Sequence, residues 1–320
     1  MAENFIGFGE SANNANPINT NEASSTTPED VTTPENDNNE NENNFSSMEE
    51  RDPTPSHKIV VHVTDQHAPI VMFFGAPSSG KTMTLVRLAK YLRNHGYTLE
   101  VDPNFCTTAW EYEKNKLNFN SMLSTQVALK GTDHNDFLFI KVKDIQGTTV
   151  CQILEGAGEG YFPTSVPPGY ERSKVPFPTY MSEVFGSRNK KIWVFITEPN
   201  WERPYADKME YVERIKFCKT SYSVSNDKFI LLFNKVDDLG TITENNAIKA
   251  CNNEYEGLFS AFKNHSPLAS VFGPKYTFKF VGFSTGHYGL AGPDGSKPYT
   301  PSRDNYPATL WEAILKSIRG

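Results

Sequence analysis

The sequence predicts an α/β fold around a largely parallel sheet, and three observations carry that prediction. Short apolar runs alternate with stretches of helical periodicity along most of the chain. Two of the runs, 192–196 and 229–233, are apolar at every position, as in strands covered on both faces. A glycine-rich turn, Gly75-Ala76-Pro77-Ser78-Ser79-Gly80-Lys81-Thr82, joins the first core strand to the first helix.

Residues 58–64 alternate, with Ile59, Val61 and Val63 on one side, and are read as a strand that opens the folded part. Residues 70–74 form the next strand. From Thr82 onward Leu85, Leu88, Ala89 and Leu92 recur at helical spacing until His95-Gly96 stops the run. Residues 97–101 follow as a strand, 110–119 as a helix and 137–142 as a strand that ends at Asp144. The stretch from Gly156 to Tyr180 is rich in Gly and Pro and too long for a routine connection, so it is read as a functional insertion. A helix over 206–219 separates the two all-apolar strands, and 276–283 is the last strand. A second insertion covers about 286–306. The closing helix, 309–318, turns Leu310, Trp311, Ile314 and Leu315 inward.

Residues 1–57 stand outside this pattern. They are rich in Asn, Glu, Thr and Pro and hold twelve acidic residues against one basic residue, Arg51. Such a composition buries too little apolar surface to offset its ordering entropy, so a disordered acidic tail is expected. The 320-residue chain has a formal charge of −7, and setting aside the tail's −11 leaves +4 for the domain at 58–320. A near-neutral folded part without a basic stripe or a cluster of stacking aromatics argues against nucleic acid as a partner. No apolar run approaches the ~20 residues that span a bilayer, and the first residues lack a basic leader. A soluble, cytoplasmic protein is expected. Cys106, Cys151, Cys218 and Cys251 are far apart, as suits a reducing compartment. His57, His62 and His67 recur every five residues, which fits neither one helix face nor one strand face, so they are not read as metal ligands.

The turn at 75–82 matches the phosphate-cradling template G-x-x-x-x-G-K-[ST]. In such a loop the backbone N–H groups from Gly75 through Ala76, Pro77, Ser78, Ser79 and Gly80 curl round a β-phosphate, with Pro77 contributing none. The positive end of the following helix assists, Lys81 neutralises the β- and γ-phosphates, and the Thr82 hydroxyl binds Mg²⁺. Three further boxes sit at strand ends. Asp144-Ile-Gln-Gly147 ends the strand 137–142, Asn234-Lys235-Val236-Asp237 follows 229–233, and Ser284-Thr285-Gly286 follows 276–283.

With these boxes in order from Gly75 to Thr285, the chain resembles the Ras-like, TRAFAC-class P-loop GTPases. Its large insertions and acidic extension are similar to those of the bacterial double-GTPase-type families. The resemblance implies a P-loop NTPase three-layer sandwich with a mostly parallel six-stranded sheet. It also implies a Mg²⁺-dependent GTP/GDP cycle that moves two switch segments and is sensed by a protein effector or regulator. In that family the Asp of N-K-x-D, here Asp237, accepts the ring N–H and the exocyclic amine of guanine. The Asn, here Asn234, tethers neighbouring loops, and the Lys, here Lys235, lays its stem along the base. Ser284 and Thr285 suit the loop that closes over the base. Asp144 is expected to hold Mg²⁺ through water, and the Gly147 N–H to meet the γ-phosphate.

The sequence departs from the family after the D-x-x-G glycine, where many members carry a water-orienting Gln and this chain has Thr148. Slow intrinsic hydrolysis is the expectation. Pro77 stands where small GTPases commonly have Gly, and Arg172, in the 156–180 insertion, is a candidate arginine supplied in cis. The Mg²⁺-ligating switch threonine is open among Thr107, Thr108 and Thr125. Two other readings stay open as well: an ATP-using P-loop enzyme such as a small-molecule kinase, and a nucleotide-binding scaffold that has lost turnover.

Overall fold

In the computed structural model the described residues are 60–124, 137–199, 205–240, 243–265, 275–290 and 297–320. Backbone contacts divide the chain into two units, Met1–Arg51 and Asp52–Gly320. The stretch 1–57, expected to be disordered, lies outside the described residues.

In chain order the second unit runs β1 (Ile70–Gly75), α1 (Lys81–Asn94), β2 (Thr98–Val101), α2 (Ala109–Ser124), β3 (Phe137–Lys143) and β4 (Thr149–Gly156). A single turn α3 (Gly158–Tyr161), α4 (Thr179–Gly186), β5 (Lys191–Thr197), α5 (Tyr205–Ser221), β6 (Lys228–Phe233) and α6 (Glu244–Glu254) follow. The chain closes with β7 (Phe278–Gly282), the small hairpin β8 (Gly286–Tyr288) and β9 (Tyr299–Pro301), and α7 (Asn305–Arg319). One seven-stranded sheet has the order β2-β3-β4-β1-β5-β6-β7. β4, β1, β5, β6 and β7 are parallel, whereas β3 runs antiparallel to both β2 and β4.

Strand alternation divides the core between the two faces of the sheet. On β1, Ile70, Met72 and Phe74 join Tyr180 and Met181 of α4, Tyr211 and Ile215 of α5, and Cys251 of α6. Val71 and Phe73 face the other way, toward Leu85 and Leu88 of α1, Phe119 of α2 and Leu310 and Ile314 of α7. Both faces of the central strands are therefore helix-covered, which is why 192–196 and 229–233 need no polar positions. At about 1.5–3 kcal/mol for each large side chain fully buried, this two-sided core holds the sheet and fixes where its strand ends point.

Helices α4 and α6 and the hairpin β8–β9 were not expected from the sequence, and two strand assignments also differ. The six expected strands become seven, because β4 lies between β3 and β1. Its apolar pattern is broken by two buried polar residues: Gln152, whose amide donates to the carbonyls of Asp65 and Ala68, and Glu155. In the described part of 58–64 there is no strand. Val61 and Val63 are buried at 4% exposure, but the Val63 N–H donates to the Glu183 carboxylate instead of to a ladder.

The 156–180 insertion is irregular, as expected, and it is anchored. Arg214 of α5 is fully buried and donates to the carbonyls of Tyr161, Ser173 and Val175 at 2.9, 3.1 and 2.6 Å. Its guanidinium lies 3.9 Å from the centre of the Phe177 ring. Among the described residues, no helix is long and apolar enough to cross a membrane.

Candidate functional site

The loop after β1 lies at the carboxyl ends of the parallel strands, and its shape depends on its glycines. Ser78 (φ 66°) and Gly80 (φ 87°) both take the left-handed backbone. A Cβ at Gly80 would lie 2.3 Å from Nδ2 of Asn234, and one at Gly75 would lie 2.4 Å from the Ser79 hydroxyl. Gly80 is also the residue that begins α1, and no side chain caps that helix start. The positive end of α1 therefore stands at this loop with no side-chain cap on it. Lys81, 5% exposed, folds back so that its Nζ is 3.1 Å from the Ala76 carbonyl oxygen. The Thr82 hydroxyl donates to Glu155 Oε1 at 2.9 Å.

That last contact relocates one of the expected boxes. Asp144, Gly147 and Thr148 form the turn between β3 and β4: Asp144 Oδ1 accepts from the N–H groups of Gln146 and Thr148, and Gly147 supplies a φ of 81°. β4 leaves this turn and runs parallel to β1, with Gln152 beside Ile70 and Glu155 beside Phe73. The turn is therefore at the far end of the sheet from the phosphate-type loop, and the assignments of Mg²⁺ to Asp144, γ-phosphate to Gly147 and water positioning to Thr148 do not hold. At the near end the same strand ends in Glu155-Gly156 and leads through Ala157 into Gly158-Glu159, which open α3. Glu155 is fully buried. A Cβ at Gly158 would lie 2.5 Å from the Pro77 backbone and 2.7 Å from Lys81 Nζ, so this glycine closes directly on the loop.

Arg172 is likewise engaged elsewhere. Its Nη1 is 2.8 Å from Asp207 Oδ1 and 3.1 Å from Glu210 Oε2, both on α5, and its guanidinium is 5.4 Å from the Phe162 ring centre. It braces the insertion against α5 and is not aimed at the loop. Thr107 and Thr108 cap α2: the Thr108 hydroxyl accepts from the Glu111 N–H at 3.1 Å, and the Glu111 carboxylate accepts from the N–H and hydroxyl of Thr107. Thr125 lies outside the described residues.

The box after β6 docks onto the loop. Asn234, with no exposed surface, donates from Nδ2 to the Ser79 carbonyl at 3.0 Å. Lys235, at a left-handed φ of 53°, reaches the Ser78 carbonyl and pairs with Glu198 at the end of β5. The Tyr255 hydroxyl holds Glu198 from behind through its backbone N–H at 3.1 Å and carbonyl at 2.9 Å. Asp237 Oδ2 is 3.3 Å from Nδ1 of His287, while its Oδ1 is buried with no hydrogen-bond partner among the described residues. Ser284 and Thr285 are buried beside this box, where the Val236 N–H donates to the Phe283 carbonyl at 3.1 Å.

No protein-family model matches this sequence, and no curated protein matches it. Solved structures similar to it include a nucleolar GTP-binding protein 1 of Plasmodium falciparum, at 14% identity over 81% of this chain and 92% of that one, with a TM-score of 0.34. A bacterial selenocysteine-specific elongation factor EF-Sec is similar at 13% identity over 79% of this chain and 29% of the other, TM-score 0.34. The RocCORdC portion of Roco2 from Methanosarcina barkeri, bound to GDP, is similar at 12% identity over 68% of this chain and 43% of that one, TM-score 0.26.

The candidate site joins Gly75 to Thr82, Asn234, Lys235, Asp237, Ser284 and Thr285, and adds Glu155 and Gly158, which the sequence reading missed; Glu159 is the next residue in the chain. A signal for the addition existed: an E-x-x-G pattern closing a run of Thr, Val, Cys, Ile and Leu.

Proposed function

We propose that this chain binds GTP and GDP with Mg²⁺ and acts as a slowly hydrolysing switch read by a protein partner. The observation that carries the reading is the docking of the Asn234–Asp237 box on the phosphate-type loop. The Asn234 amide bridges to Ser79 above Gly80, and Asp237 presents a buried carboxylate oxygen with no hydrogen-bond partner. A desolvated acceptor of that kind favours a ligand bringing two adjacent donors, as the ring N–H and exocyclic amine of guanine do, and disfavours adenine.

On this reading the loop N–H groups and Lys81 take the phosphates. The paired oxygens of Thr82 and buried Glu155 fit a hard divalent cation, which keeps several of its waters and neutralises charge on the β- and γ-phosphates. Glu155 stands in for the expected aspartate, and the Gly158 N–H takes the place given to Gly147. Glu159, next in sequence, falls where a water-orienting residue belongs. Its carboxylate accepts hydrogen bonds from water but donates none to phosphate, and its charge opposes the triphosphate, which supports slow turnover.

The deciding experiment is competition of GTP, GDP and ATP for the purified chain with and without Mg²⁺. Strong preference for guanine nucleotides is expected, with Mg²⁺ tightening the triphosphate. Equal affinity for ATP and GTP would remove the reading.

A further inference from the structure

Within the expected insertion at about 286–306, the described residues 286–290 and 297–306 contact both halves of the candidate site. Arg87 lies on α1, six residues after Lys81, and is only 5% exposed despite its charge. Its Nε donates to the Ser302 hydroxyl at 3.2 Å and its Nη2 to the Ser302 carbonyl at 2.7 Å, and Nη2 also pairs with the Asp304 carboxylate. All three acceptors are on the segment that follows β9.

Ser302 passes this hold on. Its N–H donates to the Thr285 carbonyl at 3.2 Å, and the Tyr299 hydroxyl donates to the same carbonyl. Burial, with the Tyr288 phenol adjacent, pushes the Tyr299 hydroxyl up to about 12, so it remains a donor throughout the physiological range. On the other side of that peptide the Gly286 N–H donates to the Ser284 hydroxyl at 3.2 Å. The Thr285–Gly286 peptide is planar, so fixing its carbonyl and its N–H together leaves the backbone of the base loop one orientation. The approach is close: Gly286 has φ 125°, and a Cβ there would lie 2.2 Å from the Thr300 carbonyl oxygen.

We infer that residues 299–304 form a latch that sets the Ser284–Thr285 loop for base recognition, with Arg87 and Tyr299 as positioning residues that tie this loop to the phosphate-loop helix. The inference rests on the guanine-nucleotide reading. Its physical content is that one charged side chain on α1 fixes the distance between the two grips on a nucleotide. Release of the latch therefore weakens recognition of the base and leaves recognition of phosphate alone.

The test uses the full chain and the variants Tyr299→Phe, Asp304→Ala, Arg87→Lys and Arg87→Ala. Affinities for GDP, ADP and inorganic tripolyphosphate are measured together with hydrogen exchange over residues 284–288 in the absence of nucleotide. Tyr299→Phe and Arg87→Ala are expected to weaken GDP about tenfold, leave tripolyphosphate unchanged and accelerate exchange over 284–288. Arg87→Lys, which keeps the charge but not the forked donors, is expected to recover part of the loss. Asp304→Ala, which removes one exposed partner, is expected to have the smallest effect. GDP and tripolyphosphate weakening in parallel, or unchanged exchange over 284–288, would overturn the latch while the nucleotide reading stands. A parent that binds GDP no better than ADP would overturn the guanine reading and, with it, the latch's role in base recognition; exchange would still report whether Arg87 holds the loop.

Discussion

Asp237 and Glu155 are the side chains on which this site turns, and each makes a separable prediction. A buried carboxylate oxygen without a partner costs stability until a ligand supplies donors. Asp237→Asn is expected to weaken GDP at least about 100-fold, since hydrogen bonds to a charged group contribute roughly 1.5–3 kcal/mol each. The same change should favour xanthine nucleotides, whose ring carries a carbonyl where guanine has its amine, and competition binding reads both effects. For the cation, Glu155→Ala is expected to reduce the Mg²⁺ dependence of GTP binding about tenfold or more, whereas Asp144→Ala leaves nucleotide binding unchanged. The opposite pattern in a Mg²⁺ titration would return the metal to the sequence-based assignment. The boxes at 75–82 and 234–237 were legible because each specifies a local backbone shape: left-handed turns at Gly80 and Lys235, and a short amide reaching over a glycine. The acidic box was not, because Asp-x-x-Gly is also what a tight hairpin selects. At 144–147 the Asp caps two N–H groups and the Gly supplies a positive φ, and neither job involves a ligand.

At the scale of elements, β4 decides which residues stand beside the phosphate-type loop. Inserted between β3 and β1, it carries Glu155 to the end of the sheet where β1 delivers the loop. The sequence reading ended the strand before it at Asp144 and left 149–156 unassigned, because Gln152 and Glu155 interrupt its apolar run and their partners are distant in sequence. α1, α2, α5 and α7 and the other core strands followed from periodicity, which needs no long-range information, whereas α4 and α6 were not read. The segment after β4 is held closed by the Arg214 bonds to Tyr161, Ser173 and Val175 and by the Arg172 pairs with α5. With Arg172 so engaged, the proposed switch has Glu159 as its candidate for acting on water, and on that proposal unassisted turnover on the order of 10⁻⁴ to 10⁻³ per second is expected. Glu159→Gln should raise the single-turnover rate several-fold if the proposed role holds, because the amide removes a negative charge next in sequence to Gly158 at the loop and adds a donor. A fall in rate after that substitution, measured by phosphate release, would mean that the carboxylate assists the attacking water, and the slow-switch proposal would then lose its physical basis.

For the molecule as a whole, the question is whether the site needs anything beyond residues 52–320. Both apolar faces of the sheet are closed by helices of that unit: α1, α2 and α7 on one side, α4, α5 and α6 on the other. Every side chain assigned to the nucleotide also lies between Gly75 and Thr285, and the latch that positions the base loop ends at Asp304. The acidic stretch 1–51 is poor in apolar residues, and its charge of −10 has the same sign as that of a nucleotide. Removal of residues 1–51 is therefore expected to leave the thermal midpoint and the GDP affinity of the remaining chain within about twofold of the parent at physiological salt, where screening acts over roughly 8 Å. At low salt the truncated chain should bind GTP slightly faster, because removing negative charge from the chain lessens the repulsion of an approaching anion. A truncated chain that unfolds, or that loses GDP binding at both ionic strengths, would show that the acidic stretch contributes contacts to the fold, and the division of labour between the two units would have to be redrawn.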